Sequence, residues 1–88
     1  MIYTITIGGK GGHGSRPDLS INPIDCFAAI HTALRSLPGF FVERVDGGTS
    51  GNVIPAKVVF TFRCDAPREL IVQVAENTAL PYRCTVEM

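Results

Sequence analysis

The stretch GGKGGHGSRP sets His13 among glycines, where a backbone without side chains lets a ligand approach closely and no neighbouring bulk hides the imidazole. That placement favours a functional histidine, with a surface histidine in a turn as the plain alternative, because loops carry many of them. A second glycine-rich stretch, GGTSGNVIP, holds Asn52, whose amide can donate to an oxyanion or accept from a ligand amine. Its alternative is an Asx-type turn. Arg63 closes the apolar run KVVFTFR, where a guanidinium can offer a bidentate fork to a carboxylate or stand as an ordinary strand-end charge.

What is missing bounds the chemistry. The only histidines are His13 and His31, with no H-x-D or H-E-x-x-H pattern, so no metal ligand set is expected in this chain. Lys10 in GGKGG is followed by Gly11, which excludes the phosphate-loop pattern G-x-x-x-x-G-K-[ST]. Ser15 lies two residues from His13, a proximity along one loop that rarely gives nucleophile-to-base geometry, and G-x-S-x-G is absent. His31 falls on a helix flank and reads as structural. The carboxylates Asp18, Asp25, Glu43, Asp46, Asp65, Glu69, Glu76 and Glu87 are dispersed without an acid and base pair. The chain alone is therefore expected to hydrolyse nothing and to bind no cofactor.

The elements that must position these residues can be read from periodicity. Residues 2 to 7, IYTITI, alternate as a half-buried strand, and residues 8 to 21, with five glycines and a proline, form a long loop. A helix begins at the cap Asn22 with Pro23 in its first turn and stops at Pro38-Gly39, its apolar positions making two stripes wider than one sheet contact needs. FFVERV (40 to 45) and KVVFTFR (57 to 63) read as strands joined by a segment too long for a tight hairpin. A short helix is expected from the cap Asp65 to Pro81, and 82 to 88 alternate as a last strand. The order β-α-β-β-α-β predicts an α+β ferredoxin-like two-layer sandwich, a four-stranded antiparallel sheet with both helices on one face. In it the first and last strands are antiparallel neighbours, which suits a domain inserted into a larger one.

With 88 residues the chain has room for one small domain, and its apolar fraction of 45% is that of a folded one. Eight basic against eight acidic residues, without clustering, lack the footprint of a nucleic-acid binder. No run is long and apolar enough to span a bilayer, and the opening residues alternate as a strand, so the cytoplasm is the expected compartment and no membrane the expected partner. Cys26, Cys64 and Cys84 lack paired spacing and read as reduced, mostly buried thiols.

Taken together, GGKGGHGSRPDLSINPI and GGTSGNVIPAKVVFTFR resemble the glycine-histidine loop and the G-G-x-x-x-N-x-I-P hairpin of a metal-dependent exopeptidase and amidohydrolase family. That family includes glutamate carboxypeptidase, aminoacylase, hippurate hydrolase and succinyl-diaminopimelate desuccinylase, and the resemblance is to its lid or dimerisation domain. It covers nearly the whole chain, taking 1 to 88 as a single lid domain of a larger metallohydrolase whose catalytic domain lies elsewhere.

The resemblance implies a parent enzyme with two divalent metals, zinc or similar, which hydrolyses an amide bond in a peptide or N-acyl amino acid. It implies a homodimer through lid-to-lid contacts, for which the edge strand near residues 40 to 45 and the broad first helix are the expected surfaces. By the same resemblance His13 matches a histidine that stabilises the tetrahedral oxyanion, Asn52 an asparagine that contacts substrate, and Arg63 an arginine that holds a substrate carboxylate. The second helix looks shorter than the family's. The rival class is a non-catalytic ferredoxin-like module binding a small anion or amino acid at the glycine loop, and a third reading is a homodimerising domain without a ligand.

Overall fold

The computed structural model describes residues 1 to 9, 12 to 13, 22 to 47, 53 to 54 and 57 to 88. Along the chain run β1 (Ile2–Gly8), β2 (Gly12–His13), α1 (Pro23–Leu34), β3 (Phe41–Gly47), β4 (Val53–Ile54), β5 (Lys57–Arg63), α2 (Arg68–Ala79), a 3-10 turn (Leu80–Tyr82) and β6 (Thr85–Glu87). Four of the strands form one antiparallel sheet in the order β3-β5-β1-β6, the split βαβ arrangement of a ferredoxin-like sandwich. The expected β-α-β-β-α-β order holds, with the two-residue strands β2 and β4 added to it.

Alternation decides which face is covered. Tyr3, Ile5 and Ile7 of β1 and Val58, Phe60 and Phe62 of β5 are buried, and the β1–β5 register from Ile2↔Arg63 to Gly8↔Lys57 places these two rows side by side. Against them lie Cys26, Ile30 and Leu34 of α1 and Ile71, Ala75 and Ala79 of α2, each an i, i+4, i+8 row down one side of its helix. Both helices thus stand on one face of the sheet. Phe27 meets Phe60 edge-on at 5.0 Å, and Phe40 packs on Phe62 at 5.4 Å, extending the core toward β3. His31 joins this aromatic cluster, its ring 5.7 Å from that of Phe40.

The opposite face of the sheet is polar. Thr4 and Thr61 share a hydrogen bond of 3.2 Å across β1 and β5, and Arg63 pairs with Glu43 at 2.7 Å across β5 and β3. At the edge, β3 leaves Phe41 62% and Val45 42% exposed and carries a bulge between Val42 and Arg44.

The boundaries depart from the sequence expectation in three places. The first helix ends at Leu34, not at Pro38: Leu37 and Phe40 donate to Leu34 and Leu37 in tight turns, because Pro38 has no N–H and disfavours helical geometry at Leu37. Its buried row also runs through Cys26, while Ile24, expected on an apolar stripe, is exposed. Pro67, not Asp65, caps α2, its carbonyl taking the N–H groups of Leu70 and Ile71, while the Asp65 carboxylate packs beside Gly39. The last strand shrinks to Thr85–Glu87 because the 3-10 turn takes up Leu80–Tyr82 and Arg83 sits in the left-handed region at φ 58°.

Candidate functional site

Three strand ends converge at one pole of the sheet. Gly8 ends β1 opposite Lys57, which begins β5, and Gly47 ends β3 opposite Val58. Beyond this pole the chain forms a separate antiparallel ribbon in which β2 pairs with β4, Gly12 facing Ile54 and His13 facing Val53. The two glycine-rich segments, distant in sequence, are joined there by backbone pairing. β-branched Val53 and Ile54 suit an extended conformation, and Gly12 spares the pairing any side-chain crowding.

The ribbon puts the His13 backbone opposite the residue that follows Asn52. Asn52 itself, Lys10, Ser15 and the side chain of His13 lie outside the described residues. Arg63 stands elsewhere. It occupies the far end of β5, six residue steps and roughly 20 Å from Lys57, and its side chain is held by Glu43 on the polar face. Within one chain, then, the structure brings together the His13 and Asn52 segments and leaves Arg63 at the opposite pole.

Among the described residues no group of three or more His, Cys, Asp or Glu side chains could hold a metal ion. The donor set for a divalent metal centre is not met by these residues, so no chemistry is routed through one here. A cleft between α2 and β6 is lined by Ile5, Val72, Ala75, Val86 and Met88, with Arg68 and Glu76 also on its wall. Among the described residues the shifted titrations are those of two thiols: burial, reinforced by Cys84, pushes Cys26 up from 9.0 to about 12, and burial also raises Cys84. Neither periodicity nor motif in the sequence announced the ribbon, since two-residue strands fall below the length at which alternation can be read. The β-branched pair before Pro55 was the one available signal.

Sheet order, helix placement and ribbon put the chain in the class of ferredoxin-like α+β domains. It belongs to the peptidase dimerisation domain family, whose profile matches residues 1–87. An N-acetylcysteine deacetylase from Bacillus subtilis is 34% identical to it over 103 aligned residues, covering 97% of this chain and 27% of the relative. Two crystal structures share the fold. An aminobenzoyl-glutamate utilization protein from Klebsiella pneumoniae superposes with a TM-score of 0.75 at 18% identity, over 98% of this chain and 26% of that one. A hydantoinase/carbamoylase family amidase from Burkholderia ambifaria gives 0.78 at 14% identity, over 98% of this chain and 25% of its own. The chain spans about a quarter of the length of these relatives. Among the described residues no helix is long and apolar enough to cross a membrane.

Proposed function

We propose that this chain is the pairing and substrate-capping domain of a larger metal-dependent peptidase or amidohydrolase, and that it lends His13 to an active site built mainly by a separate catalytic domain. The observation that carries the reading is the His13↔Val53 pairing, which ties the glycine-histidine segment to the segment bearing Asn52 at one pole of a rigid sheet. In this reading the His13 imidazole donates a hydrogen bond to the oxygen that becomes negative when an amide carbonyl is attacked. Asn52, from the paired segment, contacts the substrate beside it. A donor fixed in advance needs no reorganisation as the charge develops, and for that reason it belongs on a strand tied to its neighbour.

Two copies would associate through β3, the seven-residue edge strand with exposed Phe41 and Val45, together with α1. An antiparallel pairing of β3 with its twofold mate turns the second sheet end for end. The pole bearing His13 in one copy then lies beside the pole bearing Arg63 in the other, so a site made of both becomes available only in the dimer. The guanidinium there would leave Glu43 for the carboxylate of a peptide or N-acyl amino acid. Deacylation by the Bacillus subtilis relative, implied by its name, is in keeping with such a substrate.

The test is His13→Ala in the full-length enzyme. Turnover should fall by roughly 10²-fold or more while the dimer and its metal content persist. Full turnover in the variant dimer would overturn the assignment.

A further inference from the structure

The bulge in β3 changes which of its residues share a face. Along β5, Phe41 stands opposite Arg63, Val42 opposite Phe62, Arg44 opposite Thr61, Val45 opposite Phe60 and Asp46 opposite Val59, leaving Glu43 as the extra residue. Directly opposed residues lie on one face, so Val42 and Val45 belong to the helix side with buried Phe62 and Phe60, and Phe41, Arg44 and Asp46 to the polar side. In a regular strand residues three apart point opposite ways; the extra residue brings Val42 and Val45 onto one side. Glu43 also reaches the polar side, where it meets Arg63.

A second copy that continues the sheet across a twofold axis must set each residue against one of the same face. An axis through the bulge, between Glu43 and Arg44, does so along residues 41 to 46: Val42 meets Val45 of the second copy, Phe41 meets Asp46, and Glu43 meets Arg44. An axis at Val45, which would set Arg44 against Asp46, keeps phase only over 44 to 46, because there Glu43 falls opposite Gly47 on the helix side. A bulge ordinarily spoils an edge for pairing. Two identical bulges set against each other match residue for residue, so a second copy of β3 fits where a regular strand does not.

We propose that two copies pair antiparallel through β3 in the register centred on the bulge, with Glu43 of each opposite Arg44 of the other. This rests on the reading of β3 as the pairing edge and adds which residues meet there. Val45, 42% exposed in one copy, is then covered by Val42 of the other. Charge agrees with the register. Within one copy Glu43 pairs with Arg63 at 2.7 Å and Arg44 with Asp46 at 2.6 Å, and the new contact joins these pairs into a row of alternating sign across the axis. Arg44 of the second copy thereby draws on the carboxylate that holds Arg63, which loosens that guanidinium for a substrate carboxylate in the dimer.

The experiment is charge reversal in the full-length enzyme, read by sedimentation equilibrium. Glu43→Arg and Arg44→Glu should each raise the dimer Kd by about tenfold or more, since each sets two pairs of like charges against one another. An equimolar mixture of the two variants should dimerise as tightly as the unsubstituted enzyme, because every contact across the axis is again between opposite charges. Should a reversal variant fail to fold, oxidation decides: a mixture of Val42→Cys and Val45→Cys chains should form a 42-to-45 disulfide between copies, mapped by mass spectrometry, and Val45→Cys alone should form none. A mixture that stays weak, or a disulfide from Val45→Cys alone, overturns the register and leaves β3 as the edge. A dimer indifferent to both reversals and forming neither disulfide, or an unsubstituted enzyme that is monomeric, overturns the pairing of β3 itself and the proposal with it.

Discussion

His13 faces Val53 across a ribbon only two residue pairs long, so one backbone register aligns the two segments that carry the candidate site. A pairing this short is held by few hydrogen bonds, and a proline within it removes a donor outright. Val53→Pro should therefore lower kcat/KM of the full-length enzyme by at least about tenfold, while the Tm moves little because the ribbon is a sheet separate from the four-stranded one. An unchanged kcat/KM would show that the ribbon does not position the site.

The Arg63–Glu43 pair is solvent-exposed, with 60% of the arginine side chain accessible, and contributes at most about 1 kcal/mol. Arg63→Met should leave stability within that margin. In the parent enzyme it should raise KM for substrates bearing a carboxylate more than for amide-capped analogues. Equal effects on both would remove Arg63 from substrate recognition.

Gly39 adopts φ +70°, and a Cβ added there would run into the Asp65 carboxylate. Backbone strain and steric conflict add, so Gly39→Ala should cost about 1–3 kcal/mol in urea unfolding. Asp65→Ala in the same chain should recover part of that loss, by removing the conflict but not the strain. A Gly39→Ala chain of unaltered stability would contradict the assigned turn.

Cys26 gives a pH dependence whose sign follows from its burial. The folded chain keeps this thiol neutral up to about 12, while the unfolded chain releases the proton near 9.0. The contribution is complete below pH 9 and is lost as the pH rises from 9 toward 12, because only the unfolded state gains by ionising. Cys84, also raised, acts in the same direction. Unfolding followed by circular dichroism should show this alkaline decline, and Cys26→Ala should flatten it at the expense of a small cavity worth about 1–2 kcal/mol. The same slope in the variant would mean that another group carries it.

Much of this architecture was legible because alternation and helical spacing are long-range patterns. Tyr3, Ile5 and Ile7 announced a strand with one covered face, and Pro23 after Asn22 announced a helix start, realised by the Asn22 side chain accepting the Ile24 N–H at 2.9 Å. What escaped was decided by single residues with competing options. Asp65 had the right type for a cap, but Pro67 lay closer to the helix and supplied its carbonyl instead. Tyr82 fitted the alternation of the last strand, yet Pro81 held it in a 3-10 turn. Of the candidate site, the two glycine-rich segments could be singled out by composition, whereas their backbone pairing and the distance of Arg63 from it could not. That separation depends on strand direction, which the residues 57–63 alone do not state.

Met1 exchanges backbone hydrogen bonds with Cys64 at one end of the sheet, and β6 runs toward that same end, while the ribbon projects from the other. A body attached at the first end would hold the ribbon as the tip of a lever roughly 20 Å long. A tilt of about 10° at the fulcrum then sweeps the tip through ~4 Å, more than the length of a hydrogen bond. Small angular play at the base is thereby amplified into displacement at the tip.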